Sequence, residues 1–406
     1  MTRTVNYYNS TSAPDEFVGA RVFETHIDFY FPHGYIVDAL NENDCRKKAL
    51  DVLYLITLAA PSLYESNFSS RFGRKADSIP LKSFIWLIKD YSDNGLIFSI
   101  EKRYKEGGNG RINWARTFKN IPLPTRSGSI YLDLTAEYKT KTDNMLTIIH
   151  EYCLKLAYRE IGWLFGYNDS IKIEELTDAQ KIFYERYLLR EQNCIFDDRK
   201  KILINHLLRI LRYSIGKKDF SDKSEVGTYK FSHVWERMIQ KVYGNKPLDE
   251  FFPNAIWHIN GVVKDGSRLR PDTVMEYADG EKKRLYILDA KYYKFGLYND
   301  INLLPGSSDV QKQITYGDHA MLRHGEYEGR IKNAFVLPFC SDSDEKIQVV
   351  GYAESNWREN ESSYQRVYLL LMDTEYLIRA FIAGEHGGKH FEEIMKNIEK
   401  SSFSVA

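Results

Sequence analysis

The sequence contains few cysteines and no long run of apolar residues. Its four cysteines lie far apart along the 406 residues, at Cys45, Cys153, Cys194 and Cys340. Their wide spacing argues against a zinc site and against a disulfide framework. No stretch is long enough to span a membrane, and the N-terminal residues lack the apolar core of a signal peptide. We therefore expect no membrane association and a reducing, cytoplasmic location.

The sequence also lacks an excess of charge of either sign. It has 56 basic and 56 acidic side chains, so its formal net charge is zero. The chain as a whole does not attract nucleic acid at long range, and an anionic partner must be held by local basic patches. One such patch, at 101–120, interleaves Tyr104, Trp114 and Phe118 with basic residues. This composition fits a phosphate-contacting loop with stacking residues, a solvated hairpin or a partner-docking loop.

Two common catalytic motifs occur only in incomplete form. The segment AGEHGGKH (383–390) is one residue too short for a Walker A phosphate loop and ends in His390 instead of Ser or Thr. The segment HEYCL (150–154) begins like a zinc-protease helix, but Leu154 stands where a second histidine is needed. The chain is therefore predicted neither to hydrolyse nucleotides nor to be a zinc protease.

Hydrophobic periodicity predicts a mixed α+β fold. Apolar residues at helical spacing predict helices at 43–60, 142–166, 197–216, 231–243 and 309–323. The first is expected to be capped by Asn43 or Asp44, and the second by Asp143 or Asn144. β-branched and aromatic residues predict strands within 20–37 and at 256–263, 271–277, 284–291 and 332–339.

The polar stretch 217–230 is the predicted domain boundary. It separates an α/β domain at 223–406 from a mixed α+β N-terminal domain at 1–175, with a helical connector at 176–222. The N-terminal domain is expected to dock a partner, to contact DNA, or both.

The segment RLRPDTVMEYADGEKKRLYILDAKYY (268–293) places charged residues where a sheet favours apolar ones. Its second strand is apolar up to Leu288, and then carries Asp289 and Lys291 on the same face, because side chains alternate along a strand. The Asp279-Gly280 turn folds the preceding strand back beside it, which can bring Asp272 next to Asp289. Two carboxylates side by side repel each other, and a divalent cation removes this repulsion. Hard oxygen ligands with open positions predict a magnesium site, and a neighbouring lysine can orient or deprotonate water.

This pattern, Pro271-Asp272 followed by Asp289-Ala290-Lys291, resembles the PD-(D/E)XK nuclease superfamily. The resemblance implies a mixed-sheet, restriction-endonuclease-like core at the C-terminus and deoxyribonuclease activity. The superfamily usually adds an acidic residue on a preceding helix, which here is Glu236, at the margin of an apolar stripe. It often adds a Gln or Lys on the following helix, and Lys312 and Gln313 are the two candidates.

The amino-acid sequences of several motifs are similar to those of the LlaJI-type restriction endonucleases, relatives of the McrC nuclease subunit. The matching segments are GRINWARTFKN, VWERMIQKVYG, RLRPDTV, ILDAKYY and DVQKQITYG, which together span roughly residues 100 to 340. McrC-like chains often have a Gln three residues after the Asp of the last segment. Here that position is Lys312 and Gln313 follows, so which of the two faces the site is left open.

The resemblance implies an endonuclease subunit that hydrolyses double-stranded DNA within an antiviral restriction system. Asp272 and Asp289 would bind Mg²⁺, or Mn²⁺ in its place, together with the Ala290 carbonyl and with Glu236 near Lys291 or a second metal. GTP would be hydrolysed by a separate McrB-like AAA+ motor. Two alternatives are a self-sufficient restriction enzyme that reads its own site and a non-catalytic scaffold that stimulates the motor.

Overall fold

The structure is a computed structural model that describes residues 3–9, 11, 16–23, 25–35, 37, 41–59, 80–107, 110–126, 128–142, 144–167, 171, 173–215, 224–251, 253–279, 282–327, 329–341, 343–357, 363–387 and 389–400. The strands are β1 (Thr4–Asn9), β2 (Val18–Val22), β3 (His26–Phe31), β4 (Ser99–Glu106), β5 (Arg111–Ile112), β6 (Leu123–Thr125), β7 (Gly128–Ile130), β8 (Thr135–Thr142), β9 (Ser224–Thr228), β10 (Asn254–Ile259), β11 (Val262–Arg268), β12 (Thr273–Asp279), β13 (Lys282–Ala290), β14 (Ile331–Phe339), β15 (Ile347–Ala353) and β16 (Val367–Asp373). The helices are α1 (Glu42–Ala59), α2 (Leu81–Asn94), α3 (Trp114–Thr117), α4 (Met145–Ile161), α5 (Asp178–Cys194), α6 (Asp198–Ser214), α7 (Phe231–Tyr243), α8 (Phe295–Tyr298), α9 (Ser307–Arg323), α10 (Thr374–Ala383) and α11 (Lys389–Lys400).

A five-stranded sheet in the order β12-β13-β14-β16-β15 forms the centre of the C-terminal region. The middle strands run parallel, whereas β12 and β15 are antiparallel to their neighbours. The parallel strand β16 is buried along its whole length, which fits its continuous apolar sequence. We call this assembly the C-terminal sheet.

Helices α7 and α9 pack on this sheet and both contact β13. Val234, Trp235 and Met238 form part of the fully buried stripe of α7, and the Trp235 indole N–H donates to the Val336 carbonyl at 3.1 Å. On α9, Ile314 and Tyr316 pack against buried residues of the sheet. The strands that carry the charged residues of 268–293 are therefore fixed by apolar packing.

The described chain divides into two compact units. The first comprises Met1–Ile79, Leu164–Asn168 and Ser221–Ala406, and the second comprises Pro80–Trp163 and Asp169–Phe220. In the first unit, a four-stranded sheet in the order β1-β3-β2-β9 joins N-terminal strands to a strand just before α7. Helix α1 also packs on α10, and Lys48 forms an ion pair with Glu375 at 2.6 Å. The N-terminal residues thus share a unit with the C-terminal sheet.

The second unit combines a helical part with a region of short strands. Helices α2, α4, α5 and α6 pack on one another, and Arg199 donates two hydrogen bonds of 2.8 Å to the Asp90 carboxylate. Residues 99–142 contain β4, β5, α3, β6, β7 and β8, arranged as a three-stranded and a two-stranded sheet. We call residues 99–142 the ribbon region.

The predicted mixed α+β class is confirmed, and α7 has the predicted bounds of 231–243. The cap predicted for α1 is wrong: Asn41 accepts the Asp44 amide hydrogen bond, so the cap lies before Asn43. For α4, Asn144 is the N-cap and forms a reciprocal capping box with Thr147. Asp143 and Gly280, and residues 217–223 of the predicted boundary, lie outside the described residues.

The single strand predicted at 256–263 is wrong. The chain turns at Asn260-Gly261, where both residues have positive φ angles of 51° and 78°, and β10 and β11 form a hairpin. Asn-Gly is the dipeptide that most favours such a two-residue turn, so this signal was present within the predicted strand. Among the described helices, none is long and apolar enough to cross a membrane.

Candidate active site

The ends of β12 and β13 bring Asp272 and Asp289 together. The strands are antiparallel, with Thr273 opposite Leu288, so the residue before Thr273 and the residue after Leu288 face each other. Their carboxyl groups lie close enough for the Asp289 charge to raise the pKa of Asp272. The Ala290 amide donates to Asp272 Oδ2 at 2.8 Å, which fixes the carboxyl group at the strand end.

The two carboxyl groups are poorly solvated and repel each other when both are ionised. Burial, followed by the Asp289 charge, raises the pKa of Asp272 to about 7. The hydrogen bond from the Ala290 amide opposes this rise, and the Glu236 carboxylate adds to it. Asp289 itself is only 3% exposed. The pair therefore favours either a bound proton or a bound cation.

Lys291 lies between two carboxylates. Its ammonium nitrogen is 2.7 Å from Asp289 Oδ2 and 3.0 Å from Asp309 Oδ1. Burial alone would lower the pKa of Lys291, but the Asp289 and Asp309 carboxylates outweigh burial and raise it. Lys291 is therefore a cation at neutral pH, a state suited to orienting water and neutralising negative charge rather than to accepting a proton.

Glu236 projects from α7 near the carboxylate pair. Its side chain is 41% exposed and lies 3.5 Å from the His233 imidazole, and its charge acts on Asp272. Neighbouring Trp235 is fully buried and bonded to β14, which fixes this turn of the helix. Glu236 thus lies at the solvent margin of the cluster.

The structure distinguishes the environments of Lys312 and Gln313. Gln313 is 1% exposed and donates its side-chain N–H to the Ile287 carbonyl at 2.7 Å, two residues before Asp289. Its Oε1 is buried and finds no hydrogen-bond partner in the described part of the chain. The Lys312 ammonium lies 5.8 Å from the ring centre of Tyr316. Gln313 therefore contacts the backbone of β13.

Sequence reasoning missed Asp309 and Tyr316. Asp309 is the third residue of α9, and Tyr316 donates its hydroxyl to the Arg270 carbonyl at 2.6 Å, next to Pro271. The sequence could have indicated Asp309, because it is the acidic residue in the first turn of α9, the long helix that follows Asp-x-Lys. The contact of Tyr316 with the loop before Asp272 depends on tertiary packing and has no comparable local signal.

The donor chemistry of this cluster fits magnesium. Two adjacent carboxylates, one with a raised pKa, supply the hard oxygen ligands that Mg²⁺ prefers, and few protein ligands leave positions for water and phosphate. Within the described residues, no group of three His, Cys, Asp or Glu side chains is arranged to hold a metal ion. Any metal here would therefore depend on Asp272 and Asp289 plus backbone or solvent oxygens.

Comparison with known proteins defines the class as restriction endonuclease. The family model described as LlaJI restriction endonuclease matches residues 17–373. This match spans most of the sequence, including both strands of the cluster and α9. The chain belongs to the LlaJI restriction endonuclease family.

Individual relatives are more distant. The chain is 26% identical over 342 residues to the type II restriction enzyme BsuMI component YdjA of Bacillus subtilis (strain 168), covering 77% of this chain and 71% of that protein. A Thermococcus gammatolerans half-complex of McrB AAA+ hexamers with bound McrC is 13% identical, with a TM-score of 0.35 and coverage of 95% and 82%. The McrBC complex of the same organism is 13% identical, with a TM-score of 0.22 and coverage of 55% and 64%.

Proposed function

We propose that this chain is the magnesium-dependent DNA endonuclease subunit of a GTP-powered restriction system. In this proposal the C-terminal sheet with α7 and α9 is a PD-(D/E)XK core that hydrolyses phosphodiester bonds of double-stranded DNA. The observation that carries the proposal is the meeting of Asp272, Asp289 and Lys291 at one end of the sheet. Membership of a restriction endonuclease family supports the same conclusion.

Asp272 and Asp289 would hold Mg²⁺, with the Ala290 carbonyl and solvent as further oxygen donors, and Glu236 would contact the hydrated ion. When bound, the metal would polarise the scissile phosphate and favour ionisation of a water molecule. The Ala290 amide keeps Asp272 oriented by its 2.8 Å hydrogen bond. Ionisation of both carboxyl groups is costly without a cation, so metal loading would coincide with loss of the proton favoured by the raised pKa of Asp272.

Lys291 would act as a fixed positive charge. Its raised pKa favours the ammonium form, which can donate hydrogen bonds to water or to a phosphate oxygen. Glu236 would approach from α7, where its exposed carboxylate can reach a hydrated ligand. Gln313 would act indirectly, by holding the β13 backbone at Ile287.

We further propose that the ribbon region docks an McrB-like AAA+ GTPase, which would supply GTP hydrolysis. Several large apolar side chains of this region are solvent-exposed, including Ile121 at 95%, Leu132 at 71% and Phe118 at 60%. Trp114 and Phe118 rings lie 5.7 Å apart, and the Arg116 guanidinium stacks 3.6 Å from the Tyr104 ring centre. Exposed apolar and aromatic groups with arginine are typical of protein interfaces.

A reconstitution experiment tests this function. Purified full-length chain, an McrB-like GTPase from the same source, GTP, MgCl₂ and plasmid are mixed, and each component is then omitted in turn. Rapid cleavage is expected only in the complete mixture, and Asp289→Asn is expected to abolish it. Methylated and unmethylated plasmids compared in parallel would reveal any dependence on methylation.

The same experiment separates the alternatives. Cleavage at defined sites by this chain and Mg²⁺ alone, as fast as in the complete mixture, would support a self-sufficient restriction enzyme. Full cleavage by the Asp289→Asn chain with the motor would assign the chemistry elsewhere and leave this chain as a scaffold.

A further inference from the structure

The contact between Lys291 and Asp309 extends the site to α9. The ammonium nitrogen bridges Asp289 on β13 and Asp309 on α9, at 2.7 and 3.0 Å. The side chains are 15% exposed for Lys291, 5% for Asp289 and 24% for Asp309. One cation is therefore shared by two partly desolvated carboxylates from different elements.

In the proposed function, Asp289 takes part in metal binding, which conflicts with its ion pair to Lys291. Its carboxylate would hold Mg²⁺, and the Lys291 ammonium already neutralises that carboxylate. Because two cations near one carboxylate repel each other, Mg²⁺ binding favours movement of the ammonium away from Asp289. Asp309 is the remaining carboxylate within reach of the lysine in the described structure.

Asp309 is well placed to retain the ammonium. It lies in the first turn of α9, where the helix dipole favours a negative charge. Its backbone N–H donates to the Gly306 carbonyl at 3.0 Å, and neighbouring Val310 is buried against the sheet. Its carboxylate is thus attached to a fixed element outside β12 and β13.

We propose that Asp309 is a positioning residue that holds Lys291 away from Asp289 while the metal is bound. This inference rests on the proposed function, because it assumes a divalent cation at Asp272 and Asp289. With Asp309 present, Lys291 exchanges one carboxylate partner for another and keeps a defined position beside the site. Without Asp309, Lys291 competes with the metal for Asp289.

Calorimetric titration of the full-length chain with MgCl₂ tests this competition without requiring cleavage. Asp309→Asn is expected to weaken Mg²⁺ binding by about tenfold, as losses of groups that support metal ligands often do. Asp309→Glu is expected to restore much of the affinity. Glu326→Gln, which removes a 55% exposed carboxylate elsewhere in this unit, serves as the matched control and is expected to change nothing.

A second pair of proteins separates positioning from simple loss of negative charge. In a Lys291→Ala background no ammonium competes, so Lys291→Ala and Lys291→Ala/Asp309→Asn are expected to bind Mg²⁺ equally. A further tenfold loss in the double variant would show that Asp309 attracts the metal itself, and would overturn the proposal. Thermal unfolding of each variant checks folding, and Asp309→Ser replaces Asp309→Asn if the latter does not fold.

The outcomes also distinguish this inference from the proposed function. Normal Mg²⁺ binding by the wild type and by Asp309→Asn would overturn the role of Asp309 alone. Failure of the wild-type chain to bind millimolar Mg²⁺ would overturn both.

Discussion

At the end of the C-terminal sheet, the charged Asp289 is 3% exposed, whereas in the ribbon region the apolar Ile121 is 95% exposed. Each environment is unfavourable for the isolated side chain, because a buried carboxylate lacks hydration and an exposed isoleucine orders water. In the proposed function, a bound cation would relieve the first conflict and an apolar partner surface the second. In the proposed function, the first unit therefore holds the metal and the second docks the motor.

The largest effect is expected from substitutions at the end of β13 where Asp289 and Lys291 lie, called the sheet end below. These substitutions leave the ribbon region unchanged. Asp289→Asn and Lys291→Ala should each slow plasmid cleavage by about a hundredfold or more, since each removes a group that stabilises the reacting charges. Lys283→Ala is the matched control, because Lys283 lies at the other end of β13 and its side chain is 52% exposed. Rates are measured in the complete mixture with the motor. Wild-type rates for Asp289→Asn would reject the site.

The next largest effect is expected from a substitution in the ribbon region, which leaves the sheet end unchanged. Ile121→Asp places a charge in the proposed docking surface at almost no cost to folding, because the side chain is exposed. Motor-stimulated cleavage should fall about tenfold, whereas Mg²⁺ binding should not change. Phe196→Asp is the control, since Phe196 is 91% exposed in the same unit but outside the ribbon region. Equal losses from both variants would point to a general effect of charge.

The two regions also differ in how far the sequence predicts them. The pairing of Asp272 with Asp289 follows from strand alternation and a hairpin, both of which are local patterns, and the register agrees with that prediction. Asp309 reaches Lys291 through packing of α9 on the sheet, which no local pattern specifies. The pairing of β2 with β9 joins residues about two hundred positions apart, so periodicity cannot reveal it.

In the ribbon region, the sequence showed aromatic and basic residues but not their exposure. Tyr104, Trp114 and Phe118 could equally have formed a small core, because composition does not state which side chains find partners. The structure leaves Trp114 51% and Phe118 60% exposed, and this exposure is what favours docking over a self-contained hairpin. The misread strand at 256–263 has a related cause, since apolar residues on both sides masked the Asn-Gly turn.

A smaller effect is expected for Gln313. It tests whether a buried polar residue near Asp289 takes part in the reaction or only stabilises the fold. Gln313→Leu should lower the free energy of unfolding by about 1 kcal/mol, because it removes the hydrogen bond to the Ile287 carbonyl. Cleavage per folded molecule should fall less than tenfold. Gln311→Leu on the same helix is the control, and denaturant unfolding is measured beside cleavage. A loss as large as that of Lys291→Ala would instead give Gln313 direct contact with the reaction.

The smallest effect concerns the pH dependence of stability without metal. Because the pKa of Asp272 is raised to about 7, the folded protein keeps a proton that the unfolded chain releases near its ordinary value of about 4. The stabilisation from this proton is fully present below pH 4 and is lost as the pH rises through about 7. In EDTA, Asp272→Asn should therefore lose less stability than the wild type between pH 5 and pH 7.5, by on the order of 1 kcal/mol.

Magnesium should reverse this pH dependence in the wild type, because the metal binds the ionised carboxylates and competes with the proton. The measurement is the melting temperature of wild type and Asp272→Asn at both pH values, with EDTA or with MgCl₂. Glu326→Gln controls for the loss of an exposed carboxylate. Identical pH profiles for wild type and Asp272→Asn in EDTA would show that Asp272 is ionised at pH 5. Asp272 would then be stable as a carboxylate without metal. It would not need a bound cation, although its burial and charge would still distinguish it from the ribbon region.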